Sequence, residues 1–118
     1  FSAADAFLAT SLADNLPSTV LQAMACETAV LGFPTGGIHE MVVEGETGRL
    51  FAPRDTTAMA AALDTAFDAP ATLTAWGERG RARVAQDFST RAFVERHLQL
   101  YTHLLSDPKM PDQWGPST

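Results

Sequence analysis

Asp14-Asn15-Leu16-Pro17-Ser18-Thr19-Val20-Leu21-Gln22-Ala23-Met24-Ala25-Cys26 decides how this chain is read. An acid stands in a loop, and an amide follows eight residues later. Pro17 between them suits a first helical position, where its missing N–H is not needed. Val20, Leu21, Met24 and Ala25 recur at helical spacing. The opening N–H groups of a helix have no partner inside it, and the macrodipole is positive there, so anions are attracted. Ser18 and Thr19 fall at that end. They fit a pyrophosphate contact, and they equally fit an ordinary capped helix facing water. Asp14 fits an acceptor for sugar hydroxyls, or a counter-charge to an anomeric carbon turning cationic. It equally fits a turn residue bonding its own backbone. Gln22, one turn further, fits a ribose hydroxyl or a solvated helical position.

Upstream, Asp5-Ala6-Phe7-Leu8-Ala9-Thr10 is apolar almost throughout, the pattern of a strand covered on both faces. Downstream, Ala29-Val30-Leu31-Gly32-Phe33 reads as a second strand. Pro34-Thr35-Gly36-Gly37 turns into a short helix from Ile38 to Val42, and Arg49-Leu50-Phe51-Ala52 reads as a third strand. Three helices follow. Asp55 and Thr56 can cap the first, with Met59, Leu63 and Phe67 along its apolar side. The second spans Thr72 to Gln86 and is weakened by Gly77 and Gly80, at about 1 kcal/mol each relative to Ala. Ser89 caps the third, which runs to about Leu105 with Phe93, Tyr101 and Leu105 on one side. Residues 107–118 hold three prolines and read as a loose C-terminal tail. Strands alternating with helices through short links predict an α/β fold, a Rossmann-like parallel sheet flanked by helices. Ligands of such sheets bind in loops at the carboxyl ends of strands. Those loops here are Ser11–Leu16 and Pro34–Gly37. Gly36 and Gly37 fit close approach of a ligand to the backbone, or a turn needing positive φ. Glu40 gains from the dipole at the start of its helix with or without a ligand.

Composition narrows the function classes. The chain has 118 residues, 46% hydrophobic and 19% charged, enough for one domain with a core. A net charge of −6 argues against a nonspecific nucleic-acid surface. Arg79, Arg81 and Arg83 are the basic cluster and read as a solvated helix face beside Glu78 and Asp87. The lone Cys26 excludes an internal disulfide, lies in an apolar run that predicts burial, and fits a reducing, cytoplasmic setting. His97 and His103 lie six residues apart, off a shared face, and no ligand spacing for a metal is present, so no metal site is expected. The chain opens on Phe1 in mid-pattern and reads as a piece of something longer.

An ordered set of stretches carries a family resemblance: Ala3-Ala4-Asp5-Ala6-Phe7-Leu8, Ser11 to Pro17, Leu21 to Cys26, Ala29-Val30-Leu31, Gly36-Gly37-Ile38-His39-Glu40, Gly45 to Phe51, Asp55, Phe88-Ser89 and Tyr101. Together they resemble the C-terminal, donor-binding domain of retaining GT-B glycosyltransferases, glycosyltransferase family 4 or glycosyl transferases group 1. The resemblance implies that residues 1–106 are the second half of that nucleotide-sugar-binding domain. The family pattern sets two acids with seven residues between them, as Asn15 to Leu21 separate Asp14 from Gln22. Asp14 matches the first, which sits near the transferred sugar. Gln22 replaces the second, which holds the ribose, and an amide does not offer a diol two acceptor oxygens. Pro17 replaces a common Gly. Glu27 replaces another, which predicts an altered turn after the helix.

The resemblance implies sugar transfer from a nucleotide diphosphate-sugar to an acceptor, with retention and with no metal or other cofactor. Asp14 would be the catalytic residue. Asp14, Leu16, Pro17, Ser18, Thr19 and Gln22 would bind donor, with Gly36, Gly37 and Glu40 secondary. The Ser18 and Thr19 N–H groups would stabilise the departing diphosphate. The cations opposing that diphosphate would come from the earlier half of the domain, and the acceptor from an N-terminal domain of the parent. The piece alone is then expected to be inactive, with the apolar side of its last helix exposed. Peripheral membrane association of the parent is compatible with this picture. Two other readings use the same residues: a non-catalytic GT-B domain with a binding role, and a nucleotide-sugar epimerase of the GT-B type.

Overall fold

The computed structural model describes residues 1–106, and the tail at 107–118 lies outside the described residues. Three parallel strands, β1 (Ala6–Ala9), β2 (Ala29–Gly32) and β3 (Gly48–Leu50), form one sheet in the order β1-β2-β3. Ala6 is in register with Ala29, and Val30 with Gly48. The helices are α1 (Ser18–Ala25), α2 (Ile38–Met41), α3 (Thr56–Asp68), α4 (Pro70–Asp87) and α5 (Thr90–Ser106). The predicted α/β architecture is present.

β2 is buried along its whole length, because it is paired on both edges and covered on both faces. Its alternation divides the core. Val30 joins Val20, Ala23, Met24, Ile38 and Met41 on the side of α1 and α2. Ala29 and Leu31 join Phe33, Met59, Ala62, Ala66 and Leu73 on the side of α3 and α4. β1 departs from the expectation of cover on both faces. It is the edge of the sheet among the described residues, and Leu8 is 43% exposed.

The helix boundaries follow local chemistry. The Asp55 carboxylate accepts from the Ala58 N–H at 2.9 Å and caps α3. Pro70 opens α4, two residues before the expected start. Ser89 Oγ accepts from the Ala92 N–H at 3.2 Å at the head of α5. Phe67, expected in the α3 stripe, is exposed, and the small residues Ala62 and Ala66 are buried instead, packed in one cluster with Ala29, Leu31 and Leu73. Cys26, expected to be buried, is exposed, because it caps the C-terminal end of α1 where the chain turns outward.

Gly77 and Gly80 are not simple weaknesses of α4. Both are buried against the C-terminal end of α1. A Cβ on Gly77 would overlap the Glu27 carbonyl oxygen and lie 2.6 Å from its carbon. The absent side chain lets two backbones meet, so the propensity cost is offset by contact. Glu27 itself has φ 60°. Its N–H donates to the Met24 carbonyl at 3.0 Å, and the Thr28 N–H donates to Ala23 at 3.0 Å. This is the left-handed closure that a Gly would form there. The turn expected to change is kept, with Arg81 Nη1 3.0 Å from the Glu27 carboxylate.

No sequence of basic side chains stands free on α4. Arg79 Nε donates to the Glu46 carbonyl at 2.6 Å, and Arg83 donates to the carbonyls of Met41 and Glu40 at 2.9 and 2.7 Å. Trp76 Nε1 adds a bond to the Gly45 carbonyl at 2.9 Å. Trp76, Arg79 and Arg83 form one stripe of α4. The expected solvated face is therefore a strap that holds the loops of the sheet. α5 has no buried residue, and Leu105 is 88% exposed, as its apolar side led us to expect. No described helix is long and apolar enough to cross a membrane.

Candidate functional site

Pro17 is the N-cap of α1, with φ −66° and ψ 109°, and Ser18 is the first helical residue. This moves the helix start one position from the sequence reading. Extended ψ at Pro17 lets its carbonyl accept from the Val20 N–H at 3.1 Å while its ring is buried beneath the loop. A proline cap has no side-chain acceptor, so no side chain caps α1. The Ser18 and Thr19 N–H groups are consequently unpaired among the described residues, at the positive end of an eight-residue helix.

The two loops at the carboxyl end of the sheet meet. The Gly37 N–H donates to the Asn15 carbonyl at 2.6 Å, and Thr35 Oγ1 donates to the Ser11 carbonyl at 2.6 Å. Gly36 has φ 53°, and a Cβ there would overlap the Asp14 carbonyl oxygen. A Cβ on Gly37 would lie 2.7 Å from Leu16 Cδ1. The glycine pair thus makes a close approach, and its neighbour is the Asp14–Leu16 loop. That contact fixes where Asp14 sits relative to the head of α1.

Asp14, Ser18, Thr19 and Gln22 are all exposed. Neither the Asp14 carboxylate nor the Gln22 amide has a hydrogen bond or ion pair among the described residues. Ser18 and Gln22 are four residues apart and share one side of α1, while Val20, Ala23 and Met24 take the buried side. Leu16 is 53% exposed beside them. Glu40 is less closely joined. Its carboxylate is 3.9 Å from His39 Nε2, and no hydrogen bond links it to α1 among the described residues.

Chemically, this surface presents two aligned donors, a carboxylate and an amide, all unspent. Its residues do not line the cleft formed by Ala4, Asp5, Glu27, Phe67, Leu73 and Thr74. Sequence reasoning missed Asn15, whose carbonyl is the hinge between the loops, and it missed what Arg83 holds. The only trace of the latter in the sequence is the Trp76, Arg79, Arg83 spacing.

Comparison with known proteins places these features in context. The sequence profile described as glycosyl transferases group 1 matches residues 1–83. The alpha-maltose-1-phosphate synthase of Mycobacterium tuberculosis is 40% identical over 106 residues, which are 85% of this chain and 27% of that protein. The sucrose-phosphate synthase of Thermosynechococcus elongatus has a similar structure, with TM-score 0.79 and 33% identity over 88% of this chain and 26% of the other. HepE of Anabaena, solved in complex with UDP-glucose, shares the fold at TM-score 0.78 and 21% identity, over 87% of this chain and 29% of its own. The chain therefore spans about a quarter of the length of the curated relatives it matches.

Proposed function

The chain belongs to the glycosyl transferases group 1 family, and from that membership we propose that it forms the donor-binding half-site of a glycosyltransferase. In this reading the parent transfers a sugar from a nucleotide diphosphate-sugar to an acceptor, with retention. The observation that carries it is the open head of α1: unpaired Ser18 and Thr19 N–H groups beside an unpartnered Asp14, held by the Asn15–Gly37 bond.

The roles follow from charge. As the glycosidic bond lengthens, negative charge gathers on the diphosphate and positive charge at the anomeric carbon. The Ser18 and Thr19 N–H groups and the helix dipole face the first charge, oriented before the reaction begins. The Asp14 carboxylate faces the second. Gln22 meets the ribose with one acceptor and one donor. Gly36 and Gly37 wall the site from the opposite loop, and Glu40 stands at its edge. The site requires no metal in this account, because these donors and cations from the rest of the parent take the leaving-group charge. The acceptor and the closing surface come from a further domain of the parent. The names of the relatives and of the UDP-glucose-bound neighbour support this chemistry.

Ser18→Pro tests it. Proline is tolerated at the first helical position, so the substitution deletes one N–H and leaves α1 intact. Nucleotide diphosphates (ADP, UDP and GDP) are titrated against the full-length parent, and the tightest binder is carried forward. One charge-assisted hydrogen bond is worth about 1.5–3 kcal/mol, so binding should weaken by roughly 10- to 100-fold with the helical circular dichroism unchanged. Unaltered affinity would remove α1 from the site. Donor binding without transfer to any acceptor would favour the non-catalytic reading, and release of an epimerised free sugar the epimerase.

A further inference from the structure

We propose that Arg83 is a positioning residue for the donor site, acting through α2; the proposal rests on the reading of that site given above. Its side chain is 31% exposed, and each of its three guanidinium nitrogens has a partner. Nε donates to the Met41 carbonyl at 2.9 Å and Nη2 to the Glu40 carbonyl at 2.7 Å. Nη1 is 3.2 Å from Asp87 Oδ2, and the group lies 5.8 Å from the centre of the Phe88 ring. Asp87 sets the fork and Phe88 backs it, so the two free edges aim at one target, the last carbonyls of α2.

α2 is a single turn of four residues without a side-chain cap. A helix that short does not hold itself in water. The buried side chains of Ile38 and Met41 fix its depth, while its rotation about that anchor depends on polar contacts at its two ends. Those contacts form one path. Arg83 takes the carbonyls of Glu40 and Met41. The N–H groups of the same two residues donate to the Gly37 carbonyl at 3.0 and 3.2 Å. The Gly37 N–H then donates to the Asn15 carbonyl at 2.6 Å, next to Asp14 and two residues before the cap of α1. The carbonyl and the N–H of Gly37 flank one Cα, so a turn of α2 that moves the first carries the second with it. Arg83 therefore sets the angle of the turn that walls the phosphate-binding end of α1, without touching the ligand. A cation fork matched to two carbonyls is not replaced by the point charge of a lysine.

The test compares Arg83→Lys with Arg79→Lys in the full-length parent. Arg79 lies one turn away on the same stripe and donates to the Glu46 carbonyl, outside the path to Asn15. The probe is the tightest of ADP, UDP and GDP, with Kd from calorimetry and amide exchange followed by mass spectrometry. Both variants should lower Tm by a few degrees. Arg83→Lys should weaken nucleotide binding by roughly 5- to 10-fold and speed exchange across residues 36–42, because it loses one of two charge-assisted bonds. Arg79→Lys should change Kd less than about 2-fold by the same reasoning. Arg83→Ala should exceed Arg83→Lys in both effects, and the lysine variant keeps the comparison should the alanine variant fail to fold. Equal Kd changes in the two lysine variants, with nucleotide still protecting the Ser18–Thr19 segment, would overturn the role of Arg83 and leave the donor site standing. Absence of nucleotide protection at that segment in the unsubstituted protein would overturn both.

Discussion

Gly77→Ala and Gly80→Ala should move stability in opposite directions, although both replace a glycine inside the same helix. Propensity alone predicts a gain of about 1 kcal/mol for each. At Gly80 that gain survives, because a new Cβ would meet Met24 Cβ, Cγ and Cε at 3.6, 3.6 and 3.7 Å, ordinary contact distances. At Gly77 the new Cβ would lie 2.6 Å from the Glu27 carbonyl carbon and 3.3 Å from its Cα. Carbon atoms rest at about 3.5–4.0 Å, so α4 must retreat by roughly 1 Å. The obstacle is backbone, held by the Thr28-to-Ala23 and Glu27-to-Met24 bonds, and cannot swing aside. Overpacking of this kind costs about 1–3 kcal/mol, and a rigid obstacle places it near the upper end. Less the propensity gain, Gly77→Ala should lose about 2 kcal/mol, a fall in Tm on the order of 10 °C for a domain of this size. Gly80→Ala should gain about 0.5–1 kcal/mol, or roughly 4 °C. Thermal and urea melts of the two variants decide the matter. A Gly77→Ala protein as stable as its parent would refute the close approach of α4 to the turn after α1.

Asp14→Ala should leave stability within about 0.5 kcal/mol, since the carboxylate is exposed and unpartnered; transferase activity of the full-length parent should fall by at least about 100-fold, read as initial rates. Gln22→Glu restores a second acceptor oxygen on an exposed position and should tighten nucleotide binding by roughly 3- to 10-fold, about 1 kcal/mol, measured by calorimetry. Glu27→Gly relieves a left-handed residue, at about 1–2 kcal/mol, and loses an exposed pair with Arg81 worth about 0.2–1 kcal/mol. It should raise the urea midpoint, whereas Glu27→Ala keeps the strain, loses the pair and should lower it.

The apolar runs at 6–9 and 29–32 and the turn residues between them made the α/β order legible, because strands and helices bury side chains with different periods. The grouping at the head of α1, which we propose as a donor half-site, was legible for a related reason. Asp14, Ser18, Thr19 and Gln22 lie within nine residues, so one helix start brings them together with no help from distant chain. Residues far apart in the chain escaped that logic. Arg79, Arg81 and Arg83 read as solvated charge, because a guanidinium seeks carbonyls that no local pattern announces, here those of Glu46, Glu40 and Met41, beside the Glu27 carboxylate. Gly77 read as a helix defect, since its partner is a backbone atom fifty residues earlier. The burial expected of Cys26 and Phe67 failed because a hydrophobic residue goes inside only where a facing element leaves room. Sequence by itself therefore determined the elements, their order and the local constellation at the head of α1. Tertiary structure alone decided which loops touch, which glycines must stay bare and which partners the α4 arginines meet, because those depend on the packing of segments that share no local pattern.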